Sequence, residues 1–484
     1  MKTKLRSTDP LAARCDLLVV AVADPAAPLV PPADALDAAL GGALARSVAD
    51  GEVKGAPGTL AVFHAAAGAG APRAAVVGVG GGSAEDWREA GAAAGKRARA
   101  LKAADVALAA PAGADGAAVG AFVEGFGAGQ YRFDRFKTDE DGGAPVATLT
   151  VHGSTAKVAD LTRAARLVRA QDGARDLGNT PSNHLTPTRL ADHARALAEA
   201  TPGLECEVLQ PKQLAKLGAG ALLAVAQGSE EPPAMIVLRY TPRRRAAKGE
   251  VLGLVGKAVT FDTGGISIKP SGGMEEMKLD MAGGAAVIEG AALIADLKLP
   301  VEVLAVVPTT ENMPSGRAIK PGDVITTMSG KTVEVINTDA EGRLILADGL
   351  AYAARQGATR LVDFATLTGA IVVALGEVYA GLFGSDDDWT AAVREAGETS
   401  GDLAWPMPLH KGYAELIESK VADLSNAAAK RQAGAVYAAQ FLREFTAGLP
   451  WCHVDIAGTG MVGGRGTGFG VGMILAIAEG LAGR

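Results

Sequence analysis

Short apolar runs alternate with longer alanine-rich or amphipathic stretches along nearly the whole chain. In the first 150 residues, the apolar runs predict buried strands at 16–23, 59–65 and 73–80. The alanine-rich segments predict helices near 34–48, 86–102 and 115–127. This alternation of strands and helices is typical of an α/β fold.

The second half of the chain repeats this alternation more strongly. The apolar runs there predict strands at 234–240, 251–256, 301–308, 332–336 and 360–365. Helical patterns lie between them, for example at 275–298 and 343–356. Functional side chains of open α/β sheets tend to follow the carboxyl ends of strands. Functional side chains are therefore expected at those positions.

A boundary between two domains is predicted near the charged helix that follows the first group of strands. A polar loop at 136–145 precedes a strand at 146–153 and a charged helix at about 156–176, which the prolines of "GNTPSNHLTP" terminate. A chain of 484 residues is too long for one core. We expect two α/β domains, a smaller one at 1–165 and a larger one at 166–484.

Composition and charge exclude several classes of function. The formal net charge is −7 with no basic block, which disfavours nucleic acid as a partner. Three cysteines are too few for a disulfide framework, which favours a reducing compartment. The apolar run at 16–23 is better explained as a strand than as a secretory signal, and no run approaches the roughly 18 apolar residues of a membrane span. We expect a cytoplasmic protein that has no membrane partner.

Two clusters of charged residues stand out against this background. In the upstream cluster, at 255–287, Lys257 and Asp262 directly follow a predicted strand. Lys269 lies beyond a double glycine, and Asp280 falls in the first turns of a predicted helix. The charges are embedded in sequence rich in glycine and apolar residues, where burial is expected.

The downstream cluster is "NTDAEGRL" at 337–344. Asp339 and Glu341 follow the strand at 332–336, and an extended pair at i and i+2 points both side chains to one face. Arg343 opens the next helix. The two clusters together supply four carboxylates and three cations.

The alternative explanation, two networks of surface salt bridges, fits poorly because these charges are expected to be buried. Buried like charges need a compensating charge. The six scattered histidines and the absence of cysteine pairs exclude an ordinary zinc cluster, so any metal site must be built mainly from carboxylates. Four carboxylates balance two dications in formal charge. The residues therefore favour a two-metal hydrolytic site, in which paired ions activate a water.

The same residues carry a resemblance to a known family. "NTDAEGRL" and "VGKAVTFDTGGISIKP" resemble the signature of the leucyl aminopeptidases, the cytosol aminopeptidase or M17 family. The match extends over "NTPSNHLTP", "DFATLTGA", "AGAVYAAQFLREF" and "HVDIAGTG" and covers essentially residues 175 to 475. Ala258 and Thr263 are mild departures from the family pattern. The segment 461–470 departs more and leaves the far wall of the substrate pocket unpredicted.

The resemblance implies a role for each metal-site residue. Asp262 and Glu341 would bridge both metals. Asp339 would bind one metal only, and Lys257 and Asp280 would complete the other site. A lysine must be neutral to bind a metal, which two adjacent dications would favour. The alternative for Lys257 is a cation that neutralises the carboxylates, and spacing alone does not exclude it.

Two catalytic residues are implied in the same way. Lys269 would polarise the scissile carbonyl and stabilise the oxyanion. Arg343 would hold a bicarbonate ion that acts as the general base, because its planar guanidinium binds carboxylate-like anions bidentately. No side chain of the two clusters is an obvious general base, which agrees with that role for a bound anion.

The resemblance also implies a substrate site. Met277, Thr366 and Gly369 match positions that line an apolar pocket for the first side chain, and the backbone at Leu367 would bind the peptide. The alternative for Met277 is an ordinary place in a helix core.

As a whole, the resemblance implies a metal-dependent aminopeptidase that prefers apolar first residues such as Leu. It would use two divalent ions, Mn or Zn with Mg or Co as alternatives, together with bicarbonate. The catalytic domain would have a central mixed sheet flanked by helices, and the N-terminal domain would serve oligomerisation or regulation in a homo-hexamer. The remaining alternatives are a two-metal phosphoesterase and a DNA-binding regulator without enzymatic activity.

Overall fold

The chain folds as two compact units, Met1–Asp172 and Gly173–Arg484. The computed structural model describes residues 1–24, 28–64, 70–138, 143–246, 249–428 and 432–483. Part of the predicted loop at 136–145 and the last residue of the strand at 59–65 lie outside these residues. The domain limits predicted from the sequence, 1–165 and 166–484, stay predictions.

The first unit contains a six-stranded sheet in the order β1-β6-β5-β2-β4-β3, in which only β3 runs antiparallel to its neighbour. Its strands are β1 Lys2–Arg6, β2 Leu17–Val22, β3 Leu60–His64, β4 Arg73–Gly78, β5 Asp105–Ala109 and β6 Thr148–His152. Its helices are α1 Ala33–Ala39, α2 Ala43–Ala49, α3 Ala84–Ala100 and α4 Gly116–Gln130, and α5 Val158–Asn179 begins here and ends in the second unit.

Helices α3 and α4 pack closely because glycines face the partner's backbone. A Cβ atom at Gly91 would lie 2.2 Å from the carbonyl oxygen of Phe122, and one at Gly125 would lie 1.9 Å from that of Arg88. These approaches exclude any larger residue. Gly91 and Gly125 therefore allow these two helices to pack at short distance.

The second unit contains a mixed nine-stranded sheet in the order β16-β15-β18-β14-β9-β11-β8-β7, with β10 paired to β11. Two smaller sheets, β12-β13-β17 and β19-β20, complete the unit. The strands of all three sheets are β7 Leu204–Leu209, β8 Ala234–Tyr240, β9 Val251–Gly256, β10 Ala258–Asp262, β11 Glu302–Asn312, β12 Val324–Thr326, β13 Thr332–Glu334, β14 Arg360–Ala365, β15 Ala380–Gly384, β16 Ala404–Pro406, β17 Leu424–Ser425, β18 Trp451–Asp455, β19 Met461–Val462 and β20 Arg465–Gly466. The helices are α6 Pro187–Ala200, α7 Pro211–Leu217, α8 Gly220–Ala226, α9 Ala282–Asp296, α10 Glu341–Arg355, α11 Gly369–Leu375, α12 Asp387–Ser400, α13 Gly434–Arg443 and α14 Val471–Leu481.

The four strands in the middle of this sheet are parallel to one another: β11 pairs with β9, β9 with β14, and β14 with β18. All six residues of β9 are buried, as expected for a strand covered on both faces. The carboxyl ends of the four parallel strands therefore meet at one edge of the sheet. The prediction of two α/β units, the second with a mixed sheet and flanking helices, is confirmed.

Two local predictions at the charged clusters were wrong. The helix predicted at 275–298 is a 3₁₀ helix, Met274–Leu279, followed by α9, and Asp280 lies in the break. The carbonyl of Asp280 accepts a hydrogen bond from the Val259 amide at 3.2 Å instead of one within a continuous helix. Glu341 is the first residue of α10, so it does not form an extended pair with Asp339.

No helix of the described residues is both long enough and apolar enough to cross a membrane.

Candidate metal centre and active site

The site forms where the central parallel strands end. Lys257 directly follows β9, and residues 366–369 follow β14, its parallel neighbour. Asp262 ends β10, which pairs with the last residues of β11. Glu341 begins α10. Parallel pairing thus brings together segments that are about 100 residues apart in the chain.

Three buried carboxylates form the centre of the site. Asp262, Asp280 and Glu341 each offer an oxygen atom, and these three atoms lie within 4.8 Å of one another. Burial raises the pKa of both Asp280 and Glu341. The carboxylate of Asp262 raises both pKa values further, because like charges oppose ionisation. The cluster therefore favours any cation that enters it.

Lys257 is the inner cation of this cluster. Its Nζ atom lies 2.8 Å from Oδ1 of Asp280 and 2.9 Å from Oε1 of Glu341, and it donates a hydrogen bond to the carbonyl of Thr366 at 2.9 Å. Burial opposes the charged form of Lys257, but the carboxylates of Asp280, Glu341 and Asp262 outweigh it and raise its pKa. The ammonium form that pairs with these carboxylates has no lone pair for a metal.

Lys269 is the outer cation and is less buried. Its Nζ atom lies 2.7 Å from Oδ2 of Asp262 and 2.5 Å from Oδ1 of Asp339. Burial lowers the pKa of Lys269, but the surrounding carboxylates, Asp262 first among them, raise it overall. The side chain of Asp339 is 32% exposed, so this part of the site opens toward solvent.

Arg343 lies beside the carboxylates without pairing with them. Its guanidinium donates to the carbonyl of Asn426 at 2.7 Å and stacks over the ring of Tyr437 at 5.0 Å. Its Nε atom is buried and has no hydrogen-bond partner within the described part of the chain. Within the same residues, Arg343 forms no ion pair with Asp339 or Glu341. A buried N–H group without a partner is costly, which favours an acceptor bound there.

A cavity of about 430 Å³ lies over these residues. The predicted residues that line it are Lys257, Asp262, Lys269, Met277, Asp280, Asp339, Glu341, Arg343, Thr366, Leu367 and Gly369. Apolar atoms form one part of its wall, including Met277 and also Met461 of the hairpin β19–β20. The structure thus brings every predicted site residue to one cavity.

Sequence reasoning missed the residues that position these side chains. Asn312 donates to Oδ1 of Asp262 at 2.8 Å, and the Gly264 amide donates to the same oxygen at 2.8 Å. Asn426 accepts from Arg343 and also orders the start of the "NTDAEGRL" turn, since its side chain bonds the backbone of Ile336. The available signal was weak, because single asparagines at strand ends are common in turns.

The donors of the site fit a pair of divalent ions. They are carboxylate oxygens and one amine, a set suited to Mn, Mg or Zn. Oδ2 of Asp280 is buried and has no hydrogen-bond partner in the described ranges. A buried carboxylate oxygen without a hydrogen-bond donor is costly, and a bound metal ion would satisfy it.

Comparisons with known proteins agree with this geometry. The family model for the cytosol aminopeptidase catalytic domain matches residues 172–475, and the one for the N-terminal domain of the same family matches residues 19–140. A probable cytosol aminopeptidase of Solibacter usitatus is 49% identical over 85% of this chain and 86% of its own length. One from Acidovorax sp. strain JS42 is 43% identical over 94% of this chain and 90% of its own length.

Two solved structures are similar over the whole length. A mutant of tomato leucine aminopeptidase has a TM-score of 0.90 at 32% identity, and the match covers 99% of this chain and 96% of that one. The bottromycin maturation enzyme BotP, solved in complex with Mn, has a TM-score of 0.83 at 33% identity, covering 96% and 99%.

Proposed function

The chain belongs to the cytosol aminopeptidase family of dinuclear metal-dependent exopeptidases, and from this premise we propose how its own residues perform the reaction. As a metal-dependent aminopeptidase it acts on peptides. The specific proposal is that it releases apolar first residues, Leu among them. The observation that carries it is the three-carboxylate centre within 4.8 Å, joined to a partly apolar cavity.

Two divalent ions would fit between the ligands in the manner that the family resemblance implies. Asp262 and Glu341 would bind both ions, Asp339 one of them, and Lys257 with Asp280 the other. The ions would supply Lewis acidity toward the scissile carbonyl and toward an attacking water. Lys257 would have to lose its proton, and the positive charge of the ions provides the reason. We propose Mn or Zn as these ions, and the complex of BotP with Mn supports Mn.

Lys269 would stabilise the negative charge that develops on the carbonyl oxygen. Its ammonium lies between Asp262 and Asp339 at the open side of the centre, 22% exposed, where a peptide carbonyl can reach it. A fixed positive charge in a largely buried site stabilises an oxyanion more than it would in water. The surrounding carboxylates, which raise the pKa of Lys269, favour its charged form.

Arg343 would hold bicarbonate as the general base. Its guanidinium is oriented by Asn426 and Tyr437 and still has a buried Nε–H without an acceptor in the described residues. A planar anion that carries two oxygens would satisfy it bidentately. Arg343 would thereby position a proton acceptor near the carboxylate centre, where the cavity residues offer no histidine.

The apolar part of the cavity supports the proposed preference for Leu. Met277 and Met461 provide flexible apolar surface, and Gly369 leaves room because no atom lies within 4 Å of a Cβ placed there. Thr366 would line the same pocket, and the backbone at Leu367, just after β14, would bind the peptide. The proposal includes a cytoplasmic location, supported by three free cysteines, and a homo-hexamer, which light scattering tests directly.

Exhaustive chelation followed by selective reconstitution tests the core of this proposal. Removal of metals should abolish hydrolysis of leucyl-amide, and Mn²⁺ or Zn²⁺ should restore it. A panel that includes glycyl-amide and a phosphate monoester should show the fastest turnover with leucyl-amide. Full activity in the metal-free protein would overturn the proposal.

A further inference from the structure

Asp455 is a buried carboxylate at the end of β18 that does not line the active-site cavity. It is 1% exposed. Strand pairing places it opposite Ala365, the last residue of β14. Asp455 therefore lies next to residues 366–369, the segment that follows β14 and lines the cavity.

The carboxylate of Asp455 fixes that segment through several hydrogen bonds. Oδ1 accepts from the amides of Leu367 at 3.1 Å and Thr368 at 3.4 Å, and from Ala457 at 3.3 Å. Oδ2 accepts from the hydroxyl of Thr368 at 2.7 Å. A buried charge that gathers this many donors holds their backbone in one arrangement.

The same segment contacts two residues of the metal centre. The carbonyl of Thr366 accepts from Nζ of Lys257 at 2.9 Å, and the hydroxyl of Thr366 donates to Oδ1 of Asp280 at 2.8 Å. Other parts of the chain position two further carboxylates. Asn312 and the Gly264 amide donate to Asp262, and Glu341 is held by its place at the start of α10. Among the proposed metal ligands, Lys257 and Asp280 are therefore the two to which this segment is hydrogen-bonded in the described residues.

We propose that Asp455 is a positioning residue that sets the affinity of one metal site selectively, the site formed with Lys257 and Asp280. It does so by fixing Thr366–Thr368, which orients both ligands. The inference rests on the two-metal assignment given above. Residues that orient metal ligands typically change metal affinity by about 10- to 100-fold when they are removed.

A purely structural role for Asp455 predicts a different outcome. Thr368 also caps α11, because its hydroxyl accepts from the Ile371 amide at 3.2 Å. If Asp455 only supported this cap, its loss would lower the melting temperature and leave the two metal sites equal in their response. A selective effect on one site separates the two roles.

The test is metal titration of the full chain, stripped of metal and then titrated with Mn²⁺ by calorimetry and by Mn²⁺ electron paramagnetic resonance. The wild-type chain should bind two ions. Asp455→Ala should bind one ion with affinity within about 3-fold of wild type and the second about 10- to 100-fold more weakly. At intermediate Mn²⁺, its spectrum should be that of a mononuclear ion. Asp455→Asn keeps one acceptor oxygen and should show a smaller shift in the same site.

Asp402→Ala is the matched control. Asp402 is also a buried carboxylate that accepts backbone amides, from Gly470 at 3.1 Å and Met473 at 2.9 Å, at the start of α14. It should lower stability and leave both Mn²⁺ affinities unchanged. Equal weakening of both sites in Asp455→Ala, or no change in either, would overturn the inference. If Asp455→Ala does not fold, the same criteria apply to Asp455→Asn. A wild-type chain that binds fewer than two ions would instead refute the two-metal assignment itself.

Discussion

The ammonium of Lys257 lies 2.8 Å from Oδ1 of Asp280, and both side chains are almost fully buried. In this arrangement Lys257 neutralises a carboxylate centre that burial would otherwise destabilise. The two functions considered for Lys257, counter-ion and metal ligand, use the same nitrogen atom and the same neighbours. They differ in protonation state alone, so a measurement must separate them.

Substitution of Lys257 by Met should distinguish these functions. Met keeps the length of the side chain but offers neither a charge nor an amine. If Lys257 is a ligand, Lys257→Met should weaken binding of one Mn²⁺ by at least about 10-fold and leave the second near its wild-type affinity. Calorimetric titration of the metal-free chain measures both affinities. If Lys257 serves only as a counter-ion, removing its charge should strengthen cation binding at the carboxylates instead.

The role of Arg343 can be tested against that of Lys269. Arg343→Ala should keep both metals and lose roughly 10²–10⁴-fold in turnover, because general-base assistance is lost. Its rate should respond little to added bicarbonate, whereas the wild-type rate should rise. Metal content and leucyl-amide turnover with and without bicarbonate give both readings.

Lys269→Ala is the comparison for that experiment. It should lose oxyanion stabilisation, worth about 10²–10³-fold in turnover, and keep its response to bicarbonate. Normal turnover in Arg343→Ala, with two metals and an intact bicarbonate effect, would show that this arginine is structural.

Met277 tests the apolar part of the cavity. Met277→Ala enlarges the pocket and removes contacts with a Leu side chain, so kcat/KM for leucyl-amide should fall about 10-fold relative to alanyl-amide. Met274→Ala is the matched control, because Met274 belongs to the same 3₁₀ helix and does not line the cavity. An equal effect of the two variants on the Leu-to-Ala ratio would place Met277 in ordinary packing.

The sequence predicted which residues come together at the cavity better than it predicted their local backbone conformation. Lys257 and Asp262 stood out because a continuous apolar run, which predicts a buried strand, ends at Gly256 and charged residues follow it. The break at Asp280 was missed because the alanine- and methionine-rich segment around it satisfies a helical pattern on both sides. The interruption comes from a backbone hydrogen bond to Val259, a tertiary contact that no local pattern contains.

The supporting residues were missed for a related reason. Asn312 ends β11, which the sequence predicted to stop near Pro308, because the polar residues after the proline resemble a turn. Pairing with β10 extends the strand to Asn312 and brings its amide to Asp262. Such a position depends on strand register between distant segments, and hydrophobic pattern alone does not fix that register.

Asp348 links the helix that carries Glu341 and Arg343 to its surroundings, and it makes stability depend on pH. It is fully buried in α10 and accepts from the amides of Leu222 at 2.9 Å and Met328 at 2.7 Å. Burial raises the pKa of Asp348 from 3.8 to about 7, against the effect of these hydrogen bonds. Between these two values the folded chain holds a proton that the unfolded chain releases.

The sign of the effect follows from that difference in bound protons. The stabilisation from the protonated form is fully present below pH 3.8 and is lost as the pH rises toward 7. The free energy of unfolding of the wild type, relative to Asp348→Asn, should therefore fall by about 1.4 kcal/mol for each pH unit in this window. Urea unfolding of the metal-free chains, followed by tryptophan fluorescence at pH 5, 6, 7 and 8, measures the difference. It should level off above pH 7, where both folded and unfolded wild type are ionised. A difference that stays constant from pH 5 to 8 would show that the backbone amides of Leu222 and Met328 keep Asp348 ionised throughout, and that burial does not control its proton.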